Sequence, residues 1–355
     1  MLYLALYDNF FFVVLVLLLV FASIKYKLRG LHDFRLVVYF EMLAIFFVTA
    51  LASWFISVRP PEVEGDTSVY LDFFQTIIDG TGEPFAIFEP GFAIITLFLS
   101  SVGLDLRVLF FFVPMVLSLS YHRLAIQVLG ARSSLTILVF VCILIYPFFL
   151  SLTANVIRQG LAMAFVLFAI SSLLRGGKWQ PRMVAITSFL FHKSTVILLP
   201  WVFFRRLCAN VPVSLIVMVW FCASIASYLG VFKVLAIGLF DQLASLGLSI
   251  NYGDTSSIDY VTGFRLSFWL FSSCSILFLV MLRVLGFKND KMVVLFKMSA
   301  YFGIVHIFTF DMAYNDRFGL YVWMLYPLQI PYLVRCLLAL LSRSVEMKGE
   351  GSVFH

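Results

Sequence analysis

Charge is scarce in this sequence of 355 residues: Asp, Glu, Lys and Arg together make up 12% of it. A soluble chain carries roughly 25%. The 25 Lys+Arg and 19 Asp+Glu are too few to coat a water-facing globule. That excludes the pair of soluble domains that the length alone would suggest. Cysteine is also sparse. Cys142, Cys208, Cys222, Cys274 and Cys336 are scattered, mostly within apolar runs, with no CxxC and no Cys/His spacing. They read as small buried hydrophobes, so neither a metal centre nor a disulfide framework is expected. No Walker loop, GxGxxG, HExxH or nucleophile elbow occurs, which removes the common nucleotide, zinc and serine-hydrolase signatures. There is no internal repeat and no low-complexity segment. Asp8 and the lack of a basic stretch before the first apolar run argue against a cleaved signal peptide.

Hydrophobic residues, by contrast, are 62% of the chain, and the mean hydropathy is +1.03. They fall in runs of about 20 residues, the length that spans a bilayer as a helix. The expected fold is all-α, a polytopic integral membrane protein with residues 1–355 as a single membrane domain. The net charge of +6 does not imply nucleic acid, because membrane proteins gather Lys and Arg in cytoplasmic loops. The lipid bilayer is the expected partner, and no nucleic acid is.

The polar segments sort by sign. Lys25–Arg35, Arg123–Arg132, Arg175–Arg182, Arg205–Arg206, Arg283–Lys297 and Arg335–Lys348 are basic, whereas Val58–Glu89, Val231–Gly263 and Phe310–Asp316 are acidic. If every apolar run crossed the membrane, two basic segments would face outside. Gly91–Leu104 is short, however, and Met183–Phe204 is interrupted by His192 and Lys193. If both re-enter on the side they came from, all six basic segments lie inside, with 18 of the 25 Lys+Arg cytoplasmic and 14 of the 19 Asp+Glu external. The reading is therefore about nine transmembrane helices plus two re-entrant or broken ones. The N-terminus is outside, the C-terminus is in the cytoplasm, and the external loops are 58–89, 231–263 and 310–317. Irregular backbone at membrane depth needs protein or a water-filled cavity around it, so two broken helices imply a cavity. Ser68–Asp79 and Val231–Leu248 read as amphipathic helices on the membrane surface or over that cavity.

Ionisable groups in or beside apolar runs are costly and point to function. Glu41 sits mid-run and suits a buried structural partner. His306 lies in the run leading to Asp311. Arg158, Arg265 and the Asp316-Arg317 pair sit at external helix ends, and His192 breaks a run. Arg158 and Arg317 cannot deprotonate and suit a phosphate or pyrophosphate. His192 suits a base near neutral pH. Asp66 and Glu89 suit sugar hydroxyls or the base. No acidic cluster with Mg²⁺ character accompanies the arginines, so no metal and no cofactor are expected. The guanidinium groups would take over the charge stabilisation.

The order of motifs resembles the EpsG/Wzy-type polymerases of bacterial O-antigen and exopolysaccharide synthesis. Gly65-Asp66-x-x-x-Tyr70 comes first, then Glu89-Pro90-Gly91-Phe92, then Arg158-Gln159-Gly160-Leu161-Ala162, then Phe191-His192-Lys193-Ser194, and finally Arg317. The resemblance implies a GT-C-like membrane glycosyltransferase of the bacterial inner membrane, active at the periplasmic face without metal or nucleotide. It implies undecaprenyl-pyrophosphate-linked oligosaccharides as substrates. The growing chain would leave its lipid pyrophosphate and join a hydroxyl of the incoming repeat unit. A chain-length regulator is a further partner that the resemblance leaves open. By the resemblance, Arg158 and Arg317 hold pyrophosphate, and His192 is the base or positions the acceptor. Asp66, Tyr70, Glu89, Gln159, Arg265 and Asp316 contribute to substrate binding. Lys193, next to His192, departs from that picture because it can touch phosphate or depress the histidine's pKa. Two alternatives remain: a lipid-linked oligosaccharide flippase or transporter, and another membrane transferase, either an O-antigen ligase or an acyltransferase.

Overall fold

The computed structural model describes residues 2–28, 34–60, 66–83, 85, 88–234, 262–286 and 289–350. Every regular element among them is helical. Gly65 of the first motif and residues 235–261 of the second long loop, with most of the Val231–Leu248 stretch, lie outside the described residues. Six helices are long and apolar enough to cross a membrane, or up to seven if one bent pair counts as a span. The chain divides into two compact units, Met1–Phe203 and Phe204–His355.

In the first unit, α1 (Leu2–Leu28), α2 (Phe34–Ser57), α3 (Thr67–Ile78), α4 (Pro90–Ser101), α5 (Arg107–Leu129) and α6 (Leu135–Leu144) follow in order. A short helix α7 (Pro147–Leu150) runs into a π-helical turn, Ser151–Asn155. Then come α8 (Ile157–Leu174), α9 (Trp179–Phe191), a 3-10 turn at Lys193–Leu198 and α10 (Leu199–Phe203). The centre is α8, which packs on α5 and α9, while α2 packs on α5. Its residues are buried around almost the whole circumference, as expected of a helix apolar on all sides. α3 does form where its pattern predicts. It buries Thr67, Tyr70, Phe73 and Phe74 and leaves Val69 and Ile78 exposed.

Two apolar runs are broken. The Met183–Phe204 run ends its helix at Phe191, and His192 is extended at φ −160° and ψ 120°. The second break lies in a run that reads in sequence as one continuous span, Leu135–Leu150. The structure bends it by 63° between Leu144 and Pro147. Pro147 supplies no N–H and crowds the preceding turn. Tyr146 before it takes the extended conformation, ψ 124°, that a residue ahead of proline prefers.

Glu41 is indeed a buried structural partner. Its carboxylate pairs with Lys25, which is itself wholly buried at the end of α1. Thr136 of α6 closes the cluster. Lys25 Nζ donates to its hydroxyl at 2.9 Å, and that hydroxyl donates to Glu41 Oε1 at 2.6 Å. His122 Nε2 lies 3.8 Å from the same carboxylate. Lys25 thus does more than orient α1 at a membrane surface, since it ties α1, α2 and α6 together.

The second unit contains α11 (Arg205–Asn210), α12 (Val213–Tyr228), α13 (Leu266–Val284), α14 (Asp290–Phe308), α15 (Asp316–Trp323) and α16 (Tyr326–Glu350). Here α14 is central and packs on α13, α12 and α15. α13 and α14 approach closely at Gly303, where a Cβ would come within 2.8 Å of the Ser272 carbonyl oxygen.

Candidate active-site constellations

Four of the sequence motifs meet on one aromatic cluster of the first unit. Tyr70 of α3, Phe92 of α4, Ile157, Leu161 and Ala162 of α8 and Phe191 of α9 share a single buried core, with Phe88 packed against it. Two glycines make this convergence possible. Pro90 starts α4 at its first turn, where a missing N–H costs nothing. Gly91 then lies so close to α9 that a Cβ would sit 2.8 Å from the Leu190 carbonyl oxygen and 3.1 Å from the Phe191 ring. Gly160 presses on the π-helical turn, and a Cβ there would overlap the Leu152 carbonyl oxygen. A π-turn is rare and is found mainly at functional sites. Here it lets the chain enter α8 with Arg158 in its first turn.

The Arg158 guanidinium pairs through Nη1 with the Glu89 carboxylate, and the two side chains are 16% and 10% exposed. Its Cζ lies 4.5 Å from the Phe88 ring centroid and 6.0 Å from that of Tyr70. Tyr70, 1% exposed, packs its own ring on Phe88 and Phe92. Arg158 Nε is buried with no hydrogen-bond partner among the described residues. Arg158 is thus a positioned cation, held by the Glu89 carboxylate, hydrogen-bonded to Tyr70 as well and walled by aromatic rings. Asp66 stands just before α3 without a side-chain capping bond and donates its backbone N–H to Asn155 Oδ1 at 3.0 Å, which brings the start of α3 to the π-turn. Gln159 is fully buried beside Arg158.

His192 is 2% exposed. Its Nδ1 lies 2.6 Å from Ser194 Oγ and accepts the Ser194 backbone N–H at 3.4 Å. An accepting Nδ1 assigns the proton of the neutral ring to Nε2. The histidine therefore caps the 3-10 turn while its other nitrogen carries the proton. Lys193 beside it is exposed.

The second unit holds the remaining candidates. Arg265 precedes α13, with its guanidinium 3.7 Å from the Phe268 ring centroid, and donates from Nη2 to Asn315 Oδ1 at 3.1 Å. Asn315 is fully buried and donates to the Phe310 and Met312 carbonyls at 2.9 and 3.1 Å. Arg317, in the first turn of α15 after Asp316, stacks over the Tyr314 ring at 4.3 Å. Tyr314 has a φ of +54°, a left-handed conformation unusual for a bulky residue and a form of strain that clusters at functional sites. His306 is fully buried. Its Nδ1 meets Ser272 Oγ at 2.6 Å, the Trp323 indole donates to the same oxygen at 3.1 Å, and Phe310 stands edge-on 4.9 Å away. Outside the spans, burial pushes the Asp311 carboxyl up from its ordinary value, with Lys233 opposing.

Several residues that organise these sites were not picked out from the sequence. Arg59 is the lone base of an acidic segment. It is 5% exposed and donates to Thr67 Oγ1, the Ile56 carbonyl and the Ala154 carbonyl at 2.7–3.1 Å. Its isolation among carboxylates is a usable signal. Asn155 and Asn315 are polar residues two or three positions before the key arginines, but they carry no motif of their own. Among the described residues no group of three His, Cys, Asp or Glu is arranged to hold a metal ion.

The sequence model of the EpsG family matches residues 42–346, well over half of the chain. No curated protein and no solved structure matches it.

Proposed function

The chain belongs to the EpsG family, and from that premise we propose that it is a membrane glycosyltransferase that polymerises undecaprenyl-pyrophosphate-linked oligosaccharide repeat units into O-antigen, capsule or exopolysaccharide. The family is one of polysaccharide-polymerase-type membrane proteins. The observation that carries the finer reading is the Glu89–Arg158–Tyr70 constellation, a half-buried guanidinium fixed by a carboxylate inside an aromatic wall.

In the proposed reaction, a hydroxyl oxygen of the incoming unit's terminal sugar attacks the anomeric carbon of the growing chain. The bond from that carbon to the pyrophosphate oxygen breaks, and undecaprenyl pyrophosphate leaves with the electron pair. The hydroxyl proton passes to a base. Arg158 binds the leaving pyrophosphate and offsets the charge that develops on it. Arg317 is assigned the same role from the resemblance. The carboxylates of Asp66 and Glu89 suit sugar hydroxyls, and Tyr70, its ring buried against Phe88 and Phe92, shapes the site through its contact with Arg158. His192 is the first choice for the base. With Nε2 protonated, it must either exchange tautomer through Ser194 or act by positioning the acceptor. The proposal includes a GT-C-like fold of about nine spans in the bacterial inner membrane, with the site on the periplasmic side. The GT-C-like fold and the inner membrane are what the family resemblance implies, and the segregation of basic and acidic segments supports the orientation.

The test is complementation of a deletion strain. Loss of the protein should end long-chain polysaccharide and leave lipid-linked single repeats on the periplasmic face. Single repeats retained on the cytoplasmic face would point to a flippase. Arg158→Ala at normal protein level should fail to restore polymer, and long chains from that variant would overturn the assignment. For the topology, a cysteine at Gly177 should react only with reagents that reach the cytoplasm, and labelling from outside would refute it.

A further inference from the structure

The second unit encloses a cavity of about 410 Å³ at the end of α13 remote from Arg265. It opens where α12 begins, α13 ends and α14 begins, and Ser214, Leu282, Arg283, Asp290, Val293 and Lys297 line it. Arg265 and Arg283 flank a helix of 19 residues, roughly 28 Å at 1.5 Å per residue. The cavity is therefore separate from the constellation around Arg265.

Its charge is unbalanced. Lys297 is anchored, since Nζ donates to the Ala209 carbonyl at 2.6 Å and the Val211 carbonyl at 2.8 Å. An ammonium has three donors, so two are accounted for. Arg283 stands near enough to Lys297 for their like charges to repel. Neither cation forms an ion pair with a carboxylate among the described residues. Asp290 lines the cavity too, and one carboxylate against two cations leaves net positive charge. An anion between Arg283 and Lys297 would relieve the repulsion. A guanidinium fork, an ammonium and the Ser214 hydroxyl form a donor set suited to phosphate oxygens. Leu282 and Val293 give the walls an apolar character. Basic pockets of this kind between membrane helices suit lipid headgroups.

We infer that this cavity binds a phosphate group, carried by an anionic phospholipid or present as free phosphate. Arg283 and Lys297 are its cationic ligands, Ser214 is a neutral donor, and Asp290 weakens the binding.

Native mass spectrometry of the full chain in detergent tests this, with dioleoyl phosphatidylglycerol, dioleoyl phosphatidylcholine or inorganic phosphate added in turn. Phosphatidylglycerol or phosphate should form a retained adduct. Arg283→Gln should weaken it about fivefold, the effect of one basic residue on an anionic headgroup. Asp290→Asn should tighten it, and Lys178→Gln in the first unit should leave it unchanged. Retention of phosphatidylglycerol alone identifies the ligand as lipid, and retention of phosphate alone identifies it as the free ion. Three results would overturn the inference: no adduct of either, phosphatidylcholine bound as well as phosphatidylglycerol, or adducts that Arg283→Gln and Asp290→Asn leave at the wild-type level. The two substitutions act in opposite directions, so a general loss of fold cannot imitate the expected pattern.

Discussion

The Glu89 carboxylate, on the residue that caps α4, pairs with the Arg158 guanidinium in the first turn of α8. The two residues are far apart in sequence and belong to different motifs. The pair fixes where the guanidinium points and takes up only part of its donor fork.

Arg158→Lys should lose polymer nearly as fully as Arg158→Ala, because an ammonium cannot satisfy Glu89 and grip a second anion through a planar fork. Losing one positioned charge donor costs about 10²–10³ in rate. Glu89→Gln should be milder, since the amide oxygen still accepts from Nη1. Polymer formed per unit of membrane-inserted protein checks the order of the three variants. Wild-type polymer from Arg158→Lys would mean that charge alone suffices.

His192 has two separable duties, capping the 3-10 turn and the proposed chemistry. Asn is a good capping residue. His192→Asn should therefore keep the protein at its normal level and melting temperature while polymer disappears. Equal losses in melting temperature and polymer, or full activity, would reduce His192 to a cap.

Gly160→Ala should destabilise the first unit by about 1–3 kcal/mol, the usual cost of overpacking, because the added methyl meets the rigid backbone of the π-turn at Leu152. Gly91→Ala meets both a carbonyl and the Phe191 ring and should behave alike. Thermal unfolding of the detergent-solubilised variants measures both. An unshifted midpoint for Gly160→Ala would show that the turn yields easily.

Breaking the Lys25–Glu41 pair from one side should cost more than removing it. Glu41→Gln leaves a wholly buried ammonium without a counter-charge, a loss of about 3–5 kcal/mol. The double variant Lys25→Met, Glu41→Gln should recover most of that. A double variant no better than the single one would show that the two charges are not coupled.

Helical class, the length of the runs and the break at His192 were legible because they rest on local chemistry. Uncharged apolar runs must satisfy their backbone internally, and a polar interruption cannot continue the same buried face. The amphipathic α3 was legible for the same reason. The bend at Pro147 was also local, but the run around it is so apolar that hydropathy outweighed the proline. Glu41 read as a buried structural partner, yet Lys25 looked like one of the cytoplasmic charges and proved to be its counter-ion. Arg59 and Asn155 were missed because each reaches a backbone group about 90 positions away, Arg59 the Ala154 carbonyl and Asn155 the Asp66 N–H, and no spacing rule reports such contacts.

Within this chain, composition and the order of five short motifs were enough to establish a polytopic helical protein of the EpsG family. The cost of charge in lipid and the backbone needs of particular turns leave marks on the residues themselves. Only the tertiary structure decided that Gly91 and Gly160 are contact points, that the π-turn seats Arg158, and that Glu89 is its partner. Close approach between segments remote in sequence depends on how helices pack, and packing is set by the whole unit together.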